Sequence, residues 1–142
     1  ERTSNAAIKE WFRPEDTEGK DDWQITPAEL VAKTAKEKQS GYRRIAYQIA
    51  EKPGTNVCAR SYEDALVLAN PDRFEWPKEQ DEATEAWEIA QGLAKADTAL
   101  RFAIREKEWV VPRYIQEGLA WLSAPPPPPA QNVEAPVKEE AV

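Results

Sequence analysis

Histidine and methionine are absent from this 142-residue sequence, and cysteine occurs once. Without histidine there is no Ser-His-Asp or Cys-His catalysis and no zinc site built on imidazole. One thiol cannot form an intrachain disulfide or a four-cysteine zinc site, and a lone cysteine fits a reducing, cytoplasmic setting. A gene-derived sequence normally carries an initiator methionine, so its absence points to a fragment or a processed product. No run approaches the roughly 20 apolar residues of a membrane span, so no membrane partner is expected. The N-terminus lacks the basic-then-apolar layout of a secretory signal. Positive charge is also in deficit. Nineteen Lys and Arg face 26 Asp and Glu, for a net charge of -7. A polyanion of this kind is not drawn to DNA by diffuse attraction, so contact with DNA requires a local basic patch or bridging metal ions. The chemistry left is that of carboxylates, hydroxyls and lysine.

Apolar residues make up 41% of the chain and include six tryptophans, enough for one domain with one core. "TSNAAIKEWF" predicts a helix capped by Ser4 or Asn5, with Ile8, Trp11 and Phe12 on one face and Pro14 ending it. A polar, acidic loop follows. "TPAELVAKTAKEKQ" predicts a long helix: Thr26 is its N-cap, Pro27 its first residue, Glu29 completes a capping box, and Gly41 ends it. "RRIAYQIAE" is the best strand candidate, with Ile45, Tyr47 and Ile49 alternating with smaller or polar residues. "VCA" is a second, shorter strand candidate. Ser61 is expected to cap a helix through about Ala69, stopped by Asn70-Pro71. "DRFEWPKE" reads as a loop with two aromatic anchors. From Gln80 to Glu106 the pattern is helical, with Ala83, Ala86, Trp87, Ala90 and Leu93 near one stripe and Gly92 as an interruption. "VVPRYIQEGLAWL" is the last helix, with an apolar stripe of Ile115, Gly118, Leu119 and Leu122. The domain is expected to span residues 1–123. Residues 124–142, with five consecutive prolines, read as a polyproline II segment and disordered tail, more often a linker than a ligand for SH3-like modules. No internal repeat is visible.

The cluster Arg60-Ser61-Tyr62-Glu63-Asp64 has two readings. Structurally, Ser61 caps the helix and the two acids favour its positive end. Chemically, a non-helical cap lets Ser61 and Glu63 lean toward one point, where their oxygens suit a hard cation and Arg60 could meet a phosphate. A positive helix end repels a cation, so such a site needs carboxylates from elsewhere. Lys95, in an otherwise apolar helical stretch, is either a solvated lysine or a fixed ammonium that stabilises a phosphoryl transition state.

The segments "TSNAAIKEWF", "RIAYQIAE", "CARSYEDALVLANPDRF", "KADTALRFAI" and "WVVPRYIQEGLAWL", in this order, resemble the C-terminal part of the Toprim nuclease domain of OLD-family (overcoming lysogenization defect) ATP-dependent endonucleases. The resemblance covers roughly residues 1–122. It implies an α/β fold, of which this chain supplies a helix-rich portion with one or two strands that pair with strands upstream. It implies DNA cleavage with two divalent ions, Mg2+ or Mn2+, beside an ABC-type ATPase that uses ATP, and a homo-oligomer. In the family a Ser-x-Glu element ligates metal, and Ser61 and Glu63 match it. A lysine in a "KTDFAL"-like segment supports the transition state, and Lys95 matches it, with Ala96 and Thr98 in place of the usual threonine and phenylalanine. Arg60 is a weaker candidate for DNA contact. The family's upstream glutamate and Asp-x-Asp pair have no counterpart here, and no G-x-x-x-x-G-K-S/T phosphate loop is present. The chain is therefore expected to be inactive alone. Three readings follow: part of a metal-dependent endonuclease completed by an upstream segment or partner chain, a catalytically degenerate Toprim remnant that binds partners, or an unrelated small helical adaptor without a parallel sheet.

Overall fold

The computed structural model describes residues 5–14 and 24–125. The acidic loop beyond Pro14 and almost all of the proline-rich tail lie outside these residues. The elements, in order, are α1 (Ala6–Phe12), α2 (Pro27–Ala32), β1 (Gln39–Ser40), β2 (Arg43–Arg44), α3 (Tyr62–Ala69), a 3-10 turn (Pro71–Arg73), α4 (Glu82–Gly92), α5 (Lys95–Leu100), a π turn (Arg101–Arg105) and α6 (Arg113–Ser123). The fold is a helix-rich mixture of α and β, and the sheet within the described residues is one antiparallel pair, β1 with β2.

Local chemistry explains most helix starts. Asn5 Oδ1 accepts from the Ile8 N–H at 3.1 Å and opens α1. Thr26 and Glu29 form the capping box expected for α2. That helix is shorter than its sequence pattern suggests, because Thr34 restarts the chain. The Thr34 hydroxyl accepts from the Glu37 N–H at 3.3 Å, and a Glu37 carboxylate oxygen accepts from the Thr34 N–H at 2.8 Å. This second reciprocal cap diverts residues 34–38 into a separate turn.

Of the strand expected over residues 43–51, only Arg43–Arg44 forms, as β2. It pairs with β1 in a hairpin turned at Gly41 with φ +57, a left-handed conformation that suits glycine. One further bond, Ile45 N–H to the Lys38 carbonyl, extends the pairing. Beyond it, residues 46–50 run without a sheet partner among the described residues, and Tyr47, Ile49 and Ala50 are buried. The alternation that suggested a strand reflects burial, and burial alone supplies no ladder. "VCA" likewise forms no strand. The long helix expected over 80–106 is broken at its glycine. Asp81 caps α4, which ends at Gly92, and α5 starts afresh at Lys95.

The described residues bury two apolar clusters. One joins Ile8, Ile25, Leu30, Tyr47 and Ile49, with Phe12, Ile45 and Tyr114 packed against it. Tyr47 also donates its hydroxyl to the Leu30 carbonyl at 2.7 Å. The other joins Val67, Leu68 and Ala86 to Val57, Phe74, Trp76, Ile89 and Leu93, and so seats α3 on α4. Ala65, Leu66, Val67 and Leu68 are all buried, so α3 is the central helix. Each buried Leu or Val there contributes about 1.5–3 kcal/mol. Phe74 and Trp76 are the aromatic anchors expected in their loop, with Trp76 Nε1 donating to the Pro71 carbonyl at 2.9 Å.

The last helix packs on a face that only partly matches its apolar stripe: Ile115 and Gly118 are half-buried. Leu119 and Leu122 are exposed. The packed side is Tyr114, Glu117, Gly118 and Trp121. Gly118 approaches Ala46, Trp121 Nε1 donates to Gln39 Oε1 at 3.0 Å, and Glu117 pairs with Lys38 and Arg44. Polar contacts to the hairpin, rather than the widest apolar stripe, orient α6.

Candidate functional site

The start of α3 carries the candidate residues, and its geometry begins with Asp64. This side chain is only 2% exposed. One of its oxygens accepts from the Ser61 N–H at 2.6 Å and the Ser61 hydroxyl at 2.7 Å, and the other accepts from the Arg60 N–H at 2.6 Å. In return the Asp64 N–H donates to Ser61 Oγ at 3.4 Å. Asp64 thus occupies the third helical position of a capping box and fixes the Ser61 hydroxyl. The sequence reading credited Asp64 only with favouring the positive helix end. Its role was visible in the Ser-x-x-Asp spacing.

Glu63 projects beside this cap. Its Oε1 lies 2.8 Å from Lys95 Nζ, at the first turn of α5. Lys95 holds the Glu63 carboxyl below its usual range, and a backbone hydrogen bond and the Ser61 hydroxyl act in the same direction. Glu63 and Lys95 therefore meet in space beside the Ser61 cap, although α3 and α5 are separated by all of α4. Lys95 is 76% exposed, so the ammonium is a solvated cation with one carboxylate partner rather than a buried charge. The surrounding stretch, residues 93–104, is exposed too, apart from half-buried Leu93, Thr98 and Arg101 and buried Phe102. Arg60 lies with its guanidinium carbon 5.2 Å from the centre of the Trp87 ring, a cation–π contact that holds it on α4.

Two neighbours border this site. Tyr114, at the first turn of α6, has its hydroxyl pushed up by burial, then by Tyr62, Glu51, Glu63 and Asp64. Glu51 accepts twice from the Arg113 N–H, at 3.0 and 3.2 Å, and stands in for the missing cap of α6. Burial, and then Glu51, pushes the Cys58 thiol up, which makes it a poor nucleophile.

Asn70 is a further residue that the sequence marked only as a stop. It is 5% exposed. Its Nδ2 donates to the Leu66 carbonyl at 3.0 Å and the Val110 carbonyl at 2.8 Å, and its Oδ1 accepts from the Val110 N–H at 2.6 Å. It pairs with residue 110 as a strand would. Nothing in the local pattern reveals that distant partner.

A hard dication takes about six oxygen ligands, several of them carboxylates. Here both Asp64 oxygens are filled by three donors, and Glu63 is paired with an ammonium. Among the described residues no three acidic or thiol side chains converge on a point that could hold a metal ion. These residues alone do not fit the ion. No helix among the described residues is long and apolar enough to cross a membrane.

No protein-family model matches the chain, and no curated protein or solved structure matches it.

Proposed function

We propose that this chain is part of a divalent-metal-dependent DNA endonuclease of the Toprim, OLD-family type. In this reading an upstream segment or partner chain carries the remaining carboxylates and an ABC-type ATPase. The observation that carries it is the 2.8 Å contact of Glu63 with Lys95 across α3 and α5, beside the Ser61 cap. The resemblance pairs these same residues, and local sequence gives no other reason for them to meet. Each then has a task within the chain itself. Asp64 fixes the Ser61 hydroxyl, Lys95 keeps Glu63 ionised, and the exposed side of the paired ammonium faces solvent, where it can offset charge on a phosphate.

A second reading has its own support. The Ser61 hydroxyl and the Glu63 carboxylate are both satisfied internally, as they would be in a catalytically degenerate remnant retained for dimerisation or partner contact.

Cleavage of plasmid DNA by the complete protein with Mg2+ or Mn2+ separates the two. Removing a charge-stabilising group from such a site costs about 100- to 1,000-fold in rate, so Glu63→Ala and Lys95→Ala should each lose that much while staying folded. Full metal-dependent cleavage by both variants refutes the enzyme reading of these residues. A complete protein with no cleavage at all favours the remnant.

A further inference from the structure

An acidic chain is not expected to gather cations, yet one cleft does so. It has a volume of about 330 Å3 and lies between the α2 turn, the hairpin, the 51–55 loop and the start of α6. Lys33, Lys38, Arg44, Lys52 and Arg113 line it, and Glu117 is the one carboxylate among its lining residues. The five cations are not equally satisfied. The two lysines at the rim have private partners, Lys33 with Glu37 at 3.0 Å and Lys52 with Glu82 at 2.5 Å. Arg113 donates to the Ala50 carbonyl at 3.2 Å.

The two innermost cations share a single acid. Glu117 Oε2 lies 3.5 Å from Lys38 Nζ and 3.6 Å from the Arg44 guanidinium. Both separations exceed the roughly 2.7–2.9 Å of a charge-assisted hydrogen bond. The Lys38 and Arg44 side chains are 9% and 11% exposed, so water does little to satisfy them. Arg44 Nε is buried with no hydrogen-bond partner at all. Lys38 Nζ also lies 5.0 Å from the centre of the Tyr47 ring, but a buried guanidinium with an open donor and one carboxylate shared between two cations leave the positive charge only partly compensated. An oxyanion with several acceptors would compensate it.

We propose that this cleft binds a phosphate group, with Arg44 and Lys38 as its principal donors, Arg113 beside them, and Glu117 as the internal acid it competes with. The guanidinium fork of Arg44 suits two phosphate oxygens at once, and Lys38 adds a point charge. The phosphate belongs either to a nucleic-acid backbone or to a small phosphorylated molecule. The site stands whether or not the α3 residues cleave DNA, because none of its residues lies on α3 or α5.

The test uses the full chain titrated with inorganic phosphate, at an ionic strength held constant with chloride. Phosphate should raise the melting temperature saturably, because it binds the folded state alone. Glu117→Gln removes the competing acid and should tighten phosphate binding by about tenfold, a gain that misfolding cannot imitate. Arg44→Gln should weaken it by about tenfold, with circular dichroism confirming the fold. A duplex oligonucleotide that competes with phosphate, and loses affinity in Arg44→Gln, assigns the site to the DNA backbone. Saturable phosphate binding without competition by the duplex supports the site and assigns it to a small phosphorylated ligand. If neither the unaltered chain nor Glu117→Gln responds to phosphate more than to chloride, the proposal is overturned.

Discussion

Replacing Asp64 with asparagine tests the central claim about the cap, that a buried carboxylate organises the start of α3. The substitution keeps the shape and removes one acceptor. At present three donors converge on the two oxygens at 2.6–2.7 Å. An amide can turn its oxygen toward Ser61 and keep those bonds in neutral form, but its NH2 then faces the Arg60 N–H, donor against donor. One hydrogen bond to a charged group is lost, which is about 1.5–3 kcal/mol. The favourable charge at the helix N-terminus is lost with it, about 0.3–1 kcal/mol more. The expected total is about 2–4 kcal/mol. Ser61→Ala removes a single cap and should cost about 0.5–2 kcal/mol. Urea unfolding of the two variants, with the dependence on urea unchanged, gives both values. The reasoning fails if Asp64→Asn lies within about 0.5 kcal/mol of the unaltered chain, which is the scatter of surface substitutions. It fails equally if Ser61→Ala proves the costlier change.

Other outcomes follow from the same contacts. Asn70→Ala removes three hydrogen bonds and should destabilise the chain by about 2–4 kcal/mol in the same assay, at about 1 kcal/mol for each bond. Gly118 has only the Ala46 side chain near its missing Cβ, at an ordinary 3.6 Å, so Gly118→Ala should stabilise the chain by about 0.5–1 kcal/mol in thermal unfolding. The Glu37 carboxyl is held down to about 2 from an ordinary 4.5, chiefly by the Thr34 N–H and then by Lys33, and Glu63 is lowered by Lys95. A depressed folded value means that these groups stabilise the chain fully above about 4.5 and lose that contribution as pH falls through the folded values. Carboxyl NMR should place the Glu37 midpoint near 2, and Lys95→Ala should move the Glu63 midpoint upward.

What could be read from the sequence was what short range determines. The Thr26–Glu29 box, the Ser61 cap and the break at Gly92 each rest on residues within one turn of one another. The shortening of α2 was equally local and was overlooked, since Thr34 and Glu37 repeat the spacing of Thr26 and Glu29. The failures concern distant partners. Alternation at 45–49 reports which side chains are buried, and a ladder needs a second chain segment at the right distance. The stripe on α6 placed Ile115, Gly118, Leu119 and Leu122 together, but only the first two are half-buried, because Lys38, Arg44 and Gln39 at the hairpin turn the helix toward Glu117 and Trp121. Within the candidate site, the Ser61 cap was legible from composition. The meeting of Glu63 with Lys95 came only through the resemblance, because no local rule links two surface residues on different helices.

The Asn70 amide ties residue 70 to residue 110, and close by Arg73 reaches Glu106 at 3.1 Å and the Lys107 carbonyl at 3.0 Å. These contacts draw a noose around everything between, and Lys95 sits inside the loop of the noose while Glu63 sits just outside it. Slackening the knot would let α5 lift away while the apolar core keeps α4 seated on α3, and the ammonium would leave its carboxylate with no change at either residue. Amide hydrogen exchange should then show α5 opening in Asn70→Ala ahead of the rest of the chain.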